Sequence, residues 1–501
     1  NMVAKRGTNE WRGSGRYLIA DDSLQSTLDF DENDLGKAFP GNRTGATGAF
    51  PNGRAQPAFK QGNRIVKVED YGLEFGGPLV RDRAWIWGSY AKPQIDLLTV
   101  SDVSDFTELE TANLKLNAQF SPANSAAFFA LQSDKVKIGR DAGPFRPQET
   151  TFNQSKYGDD PTLLKLEDTH VFSPSFYLTG LYSIVNGGFQ LVPQGGLDVA
   201  TGLDPAGVWH NTFQLYQTQR PQEQAKLDGS SFISAGSLSH ELRFGAGLRS
   251  AEVTSLSNFP GPGHYLGSEW GPLLFGEPGF GVFYADREGF ATSEQTYTSA
   301  YLQDTFSKGN LTVNVGLRYD LQESKNKATS LRANPLLPEI MPAVSYAGGD
   351  AGFEWASIVP RLGLTYALGA ERKTLLRASY SRFADQLGTA IGAWTNPVTA
   401  YQYMYFYLDG VPSKSGNVSR SNIVDLNGDG RITFGDALGV SPNFDPNSFG
   451  FARSNAVDPD LEPQKTDELL LSVEHALRPE FVLGLNVTYR RIFDILESNL
   501  L

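Results

Sequence analysis

The feature that most constrains this chain is a strict alternation of apolar and polar residues from Leu311 to Asp320. Leu, Val, Val, Leu and Tyr occupy every second position, and Thr, Asn, Gly, Arg and Asp lie between them. Side chains of a β-strand point alternately to two faces, so this segment has one apolar and one polar face. Its length matches the ~9–11 residues that a tilted strand needs to cross a bilayer. The alternation therefore favours a membrane strand between lipid and a polar interior.

The same alternation recurs along the chain, in pairs of strands joined by short polar turns. Further alternating segments lie at 114–120, 176–184, 242–248, 362–366, 376–380, 469–473 and 481–489. We count about fifteen strands in this way, with boundaries that single-sequence patterns place poorly. Long polar stretches rich in Gly, Pro and Asn separate the pairs, at 21–68, 135–161, 186–223, 250–295, 321–357 and 384–465. Short turns that alternate with long loops are typical of outer-membrane barrels, whose long loops are extracellular.

Composition excludes several other classes of protein. The chain has no Cys, which rules out disulfides and thiolate metal sites, and its net charge of -13 argues against binding to nucleic acid. No apolar run approaches the ~18 residues of a membrane helix. We find no phosphate-binding loop, nucleophile elbow or paired metal-binding histidines, and so expect no enzyme. The five histidines are interpreted as lone surface or lumen residues: His170, His210, His240, His264 and His475.

One short segment matches the spacing of a calcium-binding loop. Such loops place oxygen ligands at positions 1, 3, 5, 7, 9 and 12, with Gly at position 6 for a sharp turn. The segment 425–436 has Gly430 at position 6 and the apolar Ile432 at position 8. Its predicted Ca²⁺ ligands are Asp425, Asn427, Asp429, the Arg431 carbonyl, Thr433 through water, and Asp436. Asp at the last position resembles dockerin loops, and the alternative is a polar surface turn.

Two further groups of residues leave their roles open. A polar inner wall is predicted from Lys115, Arg243, Arg249, Arg318, Arg361 and Arg377. Salt bridging within the wall or to an inserted domain is favoured for them over contact with a substrate. The long loops also carry the aromatic residues Trp209, Tyr265, Trp270, Trp394, Tyr401, Tyr403, Tyr405 and Tyr407. These could stack on sugars, grip peptides or pack the loops together.

Five motifs, in one order, span nearly the whole chain. They are VAKRGTNEWRG at 3–13, FGGPLVRDR with WIWGSY at 75–90, YLQD with VGLRYD at 301–320, PRLG with LRASYSRF at 360–383, and DPDLEP with TDE at 458–468. These motifs resemble those of TonB-dependent outer-membrane receptors, particularly the Oar-like branch. The first is similar to that family's junction between plug and barrel, VTKSGTNEFHG, and the second to its hairpin GGPIVKDKxFFFGSYE.

The resemblance implies an all-β, transmembrane antiparallel β-barrel with long extracellular loops. Residues 1–10 would be the end of the plug and its junction, and residues 11–501 the barrel. Because plugged transporters of this kind have about 22 strands, about fifteen strands would be an incomplete barrel. The plug, its TonB box and about seven further strands are expected outside this sequence.

The implied function is import of a bulky solute across the bacterial outer membrane, with energy from the TonB system acting through the plug. A siderophore, an oligosaccharide, a peptide and a protein are all compatible solutes. The barrel would be surrounded by outer-membrane lipid. The alternative is a surface structural or adhesion protein, whose calcium-stabilised loops dock an outer-surface protein or lipoprotein. A third hypothesis is a soluble, calcium-binding all-β protein such as a glycan-binding module. No nucleic acid partner is expected.

Overall fold

Strands dominate the computed structural model of the chain, which describes residues 4–24, 63–99, 103–143, 145–452 and 455–498. The strands are β1 (Arg12–Asp21), β2 (Arg64–Val80), β3 (Ala84–Leu98), β4 (Ser104–Ser121), β5 (Asn124–Arg140), β6 (Phe152–Lys156), β7 (Leu163–Ser173), β8 (Phe176–Pro193), β9 (Thr201–Leu203), β10 (Trp209–His210), β11 (Leu215–Ala235), β12 (Leu238–Asn258), β13 (Gly263–Leu266), β14 (Phe280–Arg287), β15 (Gly289–Lys308), β16 (Leu311–Asn326), β17 (Thr329–Leu331), β18 (Val344–Tyr346), β19 (Gly349–Leu368), β20 (Thr374–Ala384), β21 (Gln402–Asp409), β22 (Gly439–Val440), β23 (Phe444–Asp445), β24 (Gly450–Phe451), β25 (Lys465–Arg478) and β26 (Phe481–Phe493). The α-helices are α1 (Gly271–Leu274) and α2 (Thr389–Gly392). Among the described residues, no helix is long and apolar enough to cross a membrane.

Sixteen of these strands form one antiparallel sheet, which we call the wall. Its order is β1-β2-β3-β4-β5-β6-β8-β11-β12-β15-β16-β19-β20-β25-β26, and β7 also lies between β5 and β8. Because β6 and β7 share one place, the wall has fifteen positions, which confirms the predicted number of strands. β1 and β26 end the order, and no described residue pairs one with the other.

The wall has an apolar outer face and a polar inner face. On β16, Val315, Leu317 and Tyr319 are exposed, whereas Asp320 on the opposite face is 7% exposed. The inner face is held by bonds between strands, such as the one from the Thr305 hydroxyl to the Asn314 side-chain oxygen (2.6 Å). This arrangement confirms the predicted orientation, with apolar residues turned away from the enclosed space.

Several strands are longer than the alternation predicted. β11 and β12 have 21 residues each and pair along nearly their whole length. They therefore include parts of the segments 186–223 and 250–295, which were wrongly predicted as loops. Only about ten residues of a strand need to lie in the bilayer. Beyond it no apolar face is needed, so the strand continues with polar residues on both faces and its alternation disappears.

Short turns lie at one end of the wall and long connections at the other. The short turns are 81–83, 122–123, 174–175, 236–237, 309–310, 369–373 and 479–480. Gly309 has a φ of 62°, a left-handed conformation that Gly adopts without strain in so tight a turn. The longest described connection runs from the end of β20 at Ala384 to the start of β25 at Lys465, as predicted.

Three of the long connections join to form a second sheet, which we call the loop sheet. Its order is β10-β9-β13-β14-β21-β22. One face carries Tyr265, Phe283 and Phe406, all fully buried, and packs against side chains from 336–341 and 423–449. The long loops are therefore a folded unit with a hydrophobic core of its own, which we call the loop core.

The start of the connection after β20 turns toward the inner face of the wall. Leu387 donates its backbone N–H to the Gln322 side chain (2.8 Å), and the Asn326 side chain donates to the Gly392 carbonyl (3.1 Å). Gln322 and Asn326 alternate in phase with Asp320 and so belong to the inner face of β16. A Cβ on Gly392 would lie 2.0 Å from the Ser324 hydroxyl, so only Gly fits this approach.

Candidate functional site at the barrel mouth

The predicted calcium loop forms a tight turn between β21 and β22. The Asp425 carboxylate accepts a hydrogen bond from the backbone N–H of Gly430 (2.6 Å). The side-chain oxygens of Asn427 and Asp429 accept bonds from the N–H groups two residues further on (2.9 and 2.8 Å). Gly430 has a φ of 79°, as the sharp turn requires. These bonds direct the oxygens of three predicted ligands toward the backbone of the same loop.

The last predicted ligand, Asp436, is the most enclosed of the set, with its residue fully buried. Its carboxylate accepts bonds from the N–H of Leu426 (2.9 Å) and from the N–H and hydroxyl of Thr433 (2.8 and 2.9 Å). Burial by itself would raise the pKa of this carboxyl, but the donors outweigh burial and hold the pKa below its ordinary value. Asp436 is therefore an ionised group that closes the two ends of the loop.

Ile432 connects the calcium loop to the loop core. Its residue is 9% exposed and lies in the same cluster as Phe406 and Met404 of β21. The side chain at position 8 of the loop thus inserts among buried apolar residues, as predicted for an apolar prop. The conformation of the calcium loop is in this way coupled to the packing of the loop sheet.

The fit to Ca²⁺ is good in the kind and order of donors but incomplete in geometry. Oxygen donors at the predicted positions suit a hard cation. Across the residues that the structure describes, however, no three or more His, Asp or Glu side chains are gathered as a metal centre. The carboxylates of the loop bond to nearby backbone N–H groups instead. Calcium binding stays a prediction.

All six predicted inner-wall cations lie on the polar face, and each has a partner. Three form ion pairs within the wall: Arg243 with Glu241 (2.6 Å), Arg318 with Asp320 (2.8 Å) and Arg377 with Glu474 (2.6 Å). Two guanidinium groups lie over rings, Arg249 over Tyr297 (5.1 Å) and Arg361 over Phe383 (5.7 Å). These contacts support the structural role that was favoured for them.

The sixth cation, Lys115, binds the N-terminal segment 4–10, which we call the junction. Its ammonium donates to the Ala4 carbonyl (3.1 Å), and Lys5 pairs with Glu74 of β2 (2.5 Å). Gly7 is buried, and a Cβ there would lie 2.4 Å from the Ile86 carbonyl. The junction therefore packs directly on the inner face of β2–β4, at the end of the wall with short turns.

The eight loop aromatics lie in different environments, and Trp209 packs edge-on against Phe213 with 4.9 Å between the ring centroids. Tyr265 is fully buried and donates its hydroxyl to the Ser413 carbonyl (3.0 Å), and Trp270 donates its indole N–H to the Leu203 carbonyl (2.7 Å). Both pack the loops together. By contrast, Tyr403, Tyr405 and Tyr407 lie partly exposed on the other face of β21, and the partly exposed Tyr401 immediately precedes that strand. Trp394 stands apart, with 48% of its surface exposed.

The prediction of lone histidines was wrong, because three of the five pair with an aspartate and His475 bonds to the Thr374 hydroxyl (2.7 Å). Each of the three has a ring nitrogen within hydrogen-bond distance of an aspartate: His210 with Asp204 (3.0 Å), His240 with Asp304 (2.7 Å) and His264 with Asp286 (2.7 Å). The partners are brought together by sheet pairing and loop folding, so no fixed spacing in the sequence indicates them.

Comparison with known proteins places the chain among outer-membrane barrels. The family described as outer membrane beta barrel domain matches residues 96–489. The outer membrane transporter YddB from Escherichia coli is 12% identical, with 96% of this chain and 52% of that one aligned at a TM-score of 0.55. The ferric-catecholate import receptor Fiu from Escherichia coli K12 is 10% identical, with 87% and 59% covered and a TM-score of 0.50. No curated protein matches by sequence.

The chain thus spans a little over half the length of these two solved structures, and at such identities the likeness shows the fold alone. The predicted outer-membrane β-barrel is confirmed by the family match, the Oar-like branch stays a prediction, and the soluble all-β hypothesis was wrong. The match over most of its length shows that this chain belongs to the outer membrane beta barrel domain family and is located in the bacterial outer membrane.

Proposed function

We propose that the chain is the barrel of a TonB-dependent transporter, which imports a bulky solute with energy transmitted from TonB through a plug. The observation that carries this proposal is the position of the junction. Lys115, Glu74 and the tight contact at Gly7 hold it on the inner face of the wall. A domain attached to this segment begins inside the barrel, where a pulling force acts on it while the wall stays fixed.

The inner wall is consistent with such a moving part. Three of its six predicted cations are paired with carboxylates of the wall itself, so a domain in the lumen need not break those ion pairs when it moves. The two similar solved structures are those of a transporter and an import receptor, which supports the same kind of function. The class of imported solute is treated separately below.

Cysteine labelling in cells tests the coupling to TonB. The chain has no Cys, so Gln303→Cys would place one thiol on the inner face of β15, beside Gly316. We expect a membrane-impermeant maleimide to label it faster in energised cells than in cells that lack TonB or are treated with an uncoupler. Lys414→Cys on the exposed loops is the control and should label equally in all three. Equal labelling of Gln303→Cys in all three would contradict the proposal.

A second candidate function, docking of an outer-surface protein or lipoprotein, is favoured by the loop core. Loops that only surround a pore need no fully buried Phe283 or Phe406, whereas a surface that binds a partner gains from being rigid. This function needs no TonB. Labelling at position 303 that is independent of TonB, together with co-purification of a surface partner, would favour it over import.

We also propose that Ca²⁺ binds the loop 425–436 in a structural role. Asp425, Asn427, Asp429 and Asp436 would supply side-chain oxygens, Arg431 its carbonyl, and Thr433 a water-mediated contact. The ion would offset the repulsion among the carboxylates and fix Ile432 in the loop core. No disulfide is available to order a connection of this length, so a metal ion is an effective substitute.

A further inference from the structure

The loop sheet has a second face, opposite the loop core, which we call the tyrosine face. It is formed by Tyr403, Tyr405 and Tyr407 on β21, Tyr284 on β14 and His264 on β13. All five side chains are partly exposed, whereas the alternate residues of the same strands are buried. The tyrosine face contributes no member to the clusters of buried apolar residues found in the described part of the chain.

Four of the five rings of the tyrosine face form a continuous strip, and the fifth, Tyr407, meets Phe275 edge-on with 5.0 Å between the centroids. Tyr284 has its ring centroid 5.7 Å from those of both Tyr403 and Tyr405, and His264 stacks on it at 4.5 Å with 6° between the planes. A Cβ on Gly439 would lie 2.3–2.7 Å from the Tyr405 ring and hydroxyl, so this Gly allows the ring to lie flat across β22. Along β21 the rings repeat every two residues, about 6.7 Å apart.

The polar atoms of this face are hydroxyls rather than charges. Within the described ranges, the hydroxyls of Tyr284, Tyr403, Tyr405 and Tyr407 make no hydrogen bond to the protein, and none is sealed from solvent. Burial raises the pKa of Tyr284, so its hydroxyl stays neutral at physiological pH. The four tyrosine hydroxyls can therefore donate hydrogen bonds to a ligand and accept them from it.

The charged side chains in phase with the tyrosine face are either buried or at the end of a strand. The Asp286 side chain points to the same face as Tyr284, but its residue is 5% exposed and its carboxylate lies 2.7 Å from the His264 ring nitrogen. Beyond Tyr407, the next residue in phase along β21 is Asp409, which lies at the end of the strand. Among the five side chains of the tyrosine face there is no Lys or Arg for an anionic ligand, and the exposed carboxylate in phase with them, Asp409, lies at one end of the strip.

From this geometry we propose that the tyrosine face binds an uncharged carbohydrate chain, whose sugar rings stack on the tyrosine rings. This inference names the class of solute and so rests on the proposed function. Ring faces pack on the C–H faces of sugars, and the free hydroxyls bond to sugar hydroxyls at the edges. A strip of regularly spaced rings suits an extended, repetitive ligand better than a compact one.

Two other ligands fit the face less well. A peptide that joins a sheet forms main-chain hydrogen bonds at a strand edge, and the face of a sheet offers none. Anionic solutes such as carboxylate-rich iron chelates need Arg or Lys at hydrogen-bond distance, and the strip has neither. Both classes are nevertheless included in the test below.

The test is binding of the purified, detergent-solubilised protein to an immobilised panel of neutral oligosaccharides made of glucose, mannose, galactose or xylose units. Anionic oligosaccharides and a random peptide library are printed beside them. We expect retention on at least one neutral oligosaccharide and a loss of affinity of at least about tenfold in Tyr403→Ala and Tyr405→Ala. Tyr403→Phe keeps the ring and should lose less than about threefold. Trp394→Ala, an exposed aromatic outside the strip, is the matched control and should bind as the wild type does.

Three results would overturn the inference: no neutral oligosaccharide is retained, binding is limited to peptides or anions, or Tyr403→Ala binds as the wild type does. An unchanged proteolysis pattern of Tyr403→Ala separates loss of a contact from loss of the loop fold. Binding to the panel that persists while labelling at position 303 is independent of TonB would leave the tyrosine face as a glycan site and reject import. TonB-dependent labelling without glycan binding would support import and reject the tyrosine face as a glycan site.

Discussion

The wall and the loop sheet are both antiparallel β-structure, yet they bury opposite kinds of side chain. In the wall Leu317 is 54% exposed on the outer face and Asp320 is 7% exposed on the inner face. In the loop sheet Phe283 and Phe406 are fully buried. The wall is surrounded by hydrocarbon and the loop sheet by water, so the same alternation serves two solvents. The medium, rather than the strand pattern, determines which face is turned inward.

The largest effect is expected in the loop core. Phe406→Ala should destabilise the loop sheet by about 3–5 kcal/mol, because a buried Phe leaves a cavity. Leu317→Ala on the outer face of the wall leaves no cavity and should cost less. Limited proteolysis of the connection 384–465, with denaturant added in steps, measures the difference. The contrast between the two regions fails if the Leu317 variant is cut as readily as the Phe406 variant.

A charge placed on the two faces of one strand tests the wall itself. Val315→Arg should lower the free energy of unfolding by about 2–4 kcal/mol, because the guanidinium must enter hydrocarbon. Asn314→Arg, one residue away on the inner face, should cost far less. The measurement is unfolding of each variant by guanidinium chloride after the protein has been inserted into lipid vesicles. Equal costs at the two sites would mean that the faces are assigned wrongly.

The wall could be predicted from the sequence because its rule is local. Period-two alternation within about ten residues identifies each strand, and a short turn such as Gly309–Asn310 fixes which strand comes next. The loop sheet obeys no such local rule. β9, β14 and β21 come from connections far apart in sequence, so no local pattern indicates that these strands pair.

The junction offers a smaller and more local test. Gly7→Ala should displace it by forcing a methyl group against the Ile86 carbonyl, at a cost of about 1–3 kcal/mol. Gly15→Ala in β1 is the matched control, since the nearest atom to its Cβ would be 3.7 Å away. Protease access to the bonds around Lys5 reports displacement. If both variants resist cleavage equally, the close packing of the junction is not what holds it.

Calcium is expected to have the smallest effect. Extracellular sites have dissociation constants of about 10⁻⁴–10⁻³ M, so about 1 mM Ca²⁺ should stabilise the loop by about 0.4–1.4 kcal/mol. Wild type should be cut in the region 384–465 faster after chelation, and the double variant Asp425→Asn with Asp429→Asn should be insensitive to chelator. Asp445→Asn, in a polar turn outside the calcium loop, is the control. Identical cutting of wild type with and without chelator would reject the metal.

The site was predictable to the extent that its residues are neighbours in sequence. The ligand order from Asp425 to Asp436 is contained in twelve consecutive residues, so spacing alone could indicate it. The tyrosine face could be predicted only in part from the sequence. The alternation of Tyr403, Tyr405 and Tyr407 is visible in the sequence, but the pairing of β21 with β14 that adds Tyr284 is not. The same holds for His264 and Asp286, which tertiary folding brings together.

The most direct test of the central claim, an outer-membrane wall with the loop sheet outside, is cysteine accessibility in intact cells. Lys414→Cys lies in the loops, Leu317→Cys on the outer face of the wall, and Glu371→Cys in a short turn. We predict that an impermeant maleimide labels position 414 in intact cells, labels position 371 only after the outer membrane is permeabilised, and labels position 317 in neither case. Labelling of 371 before permeabilisation, or of 317 in either state, would contradict the account.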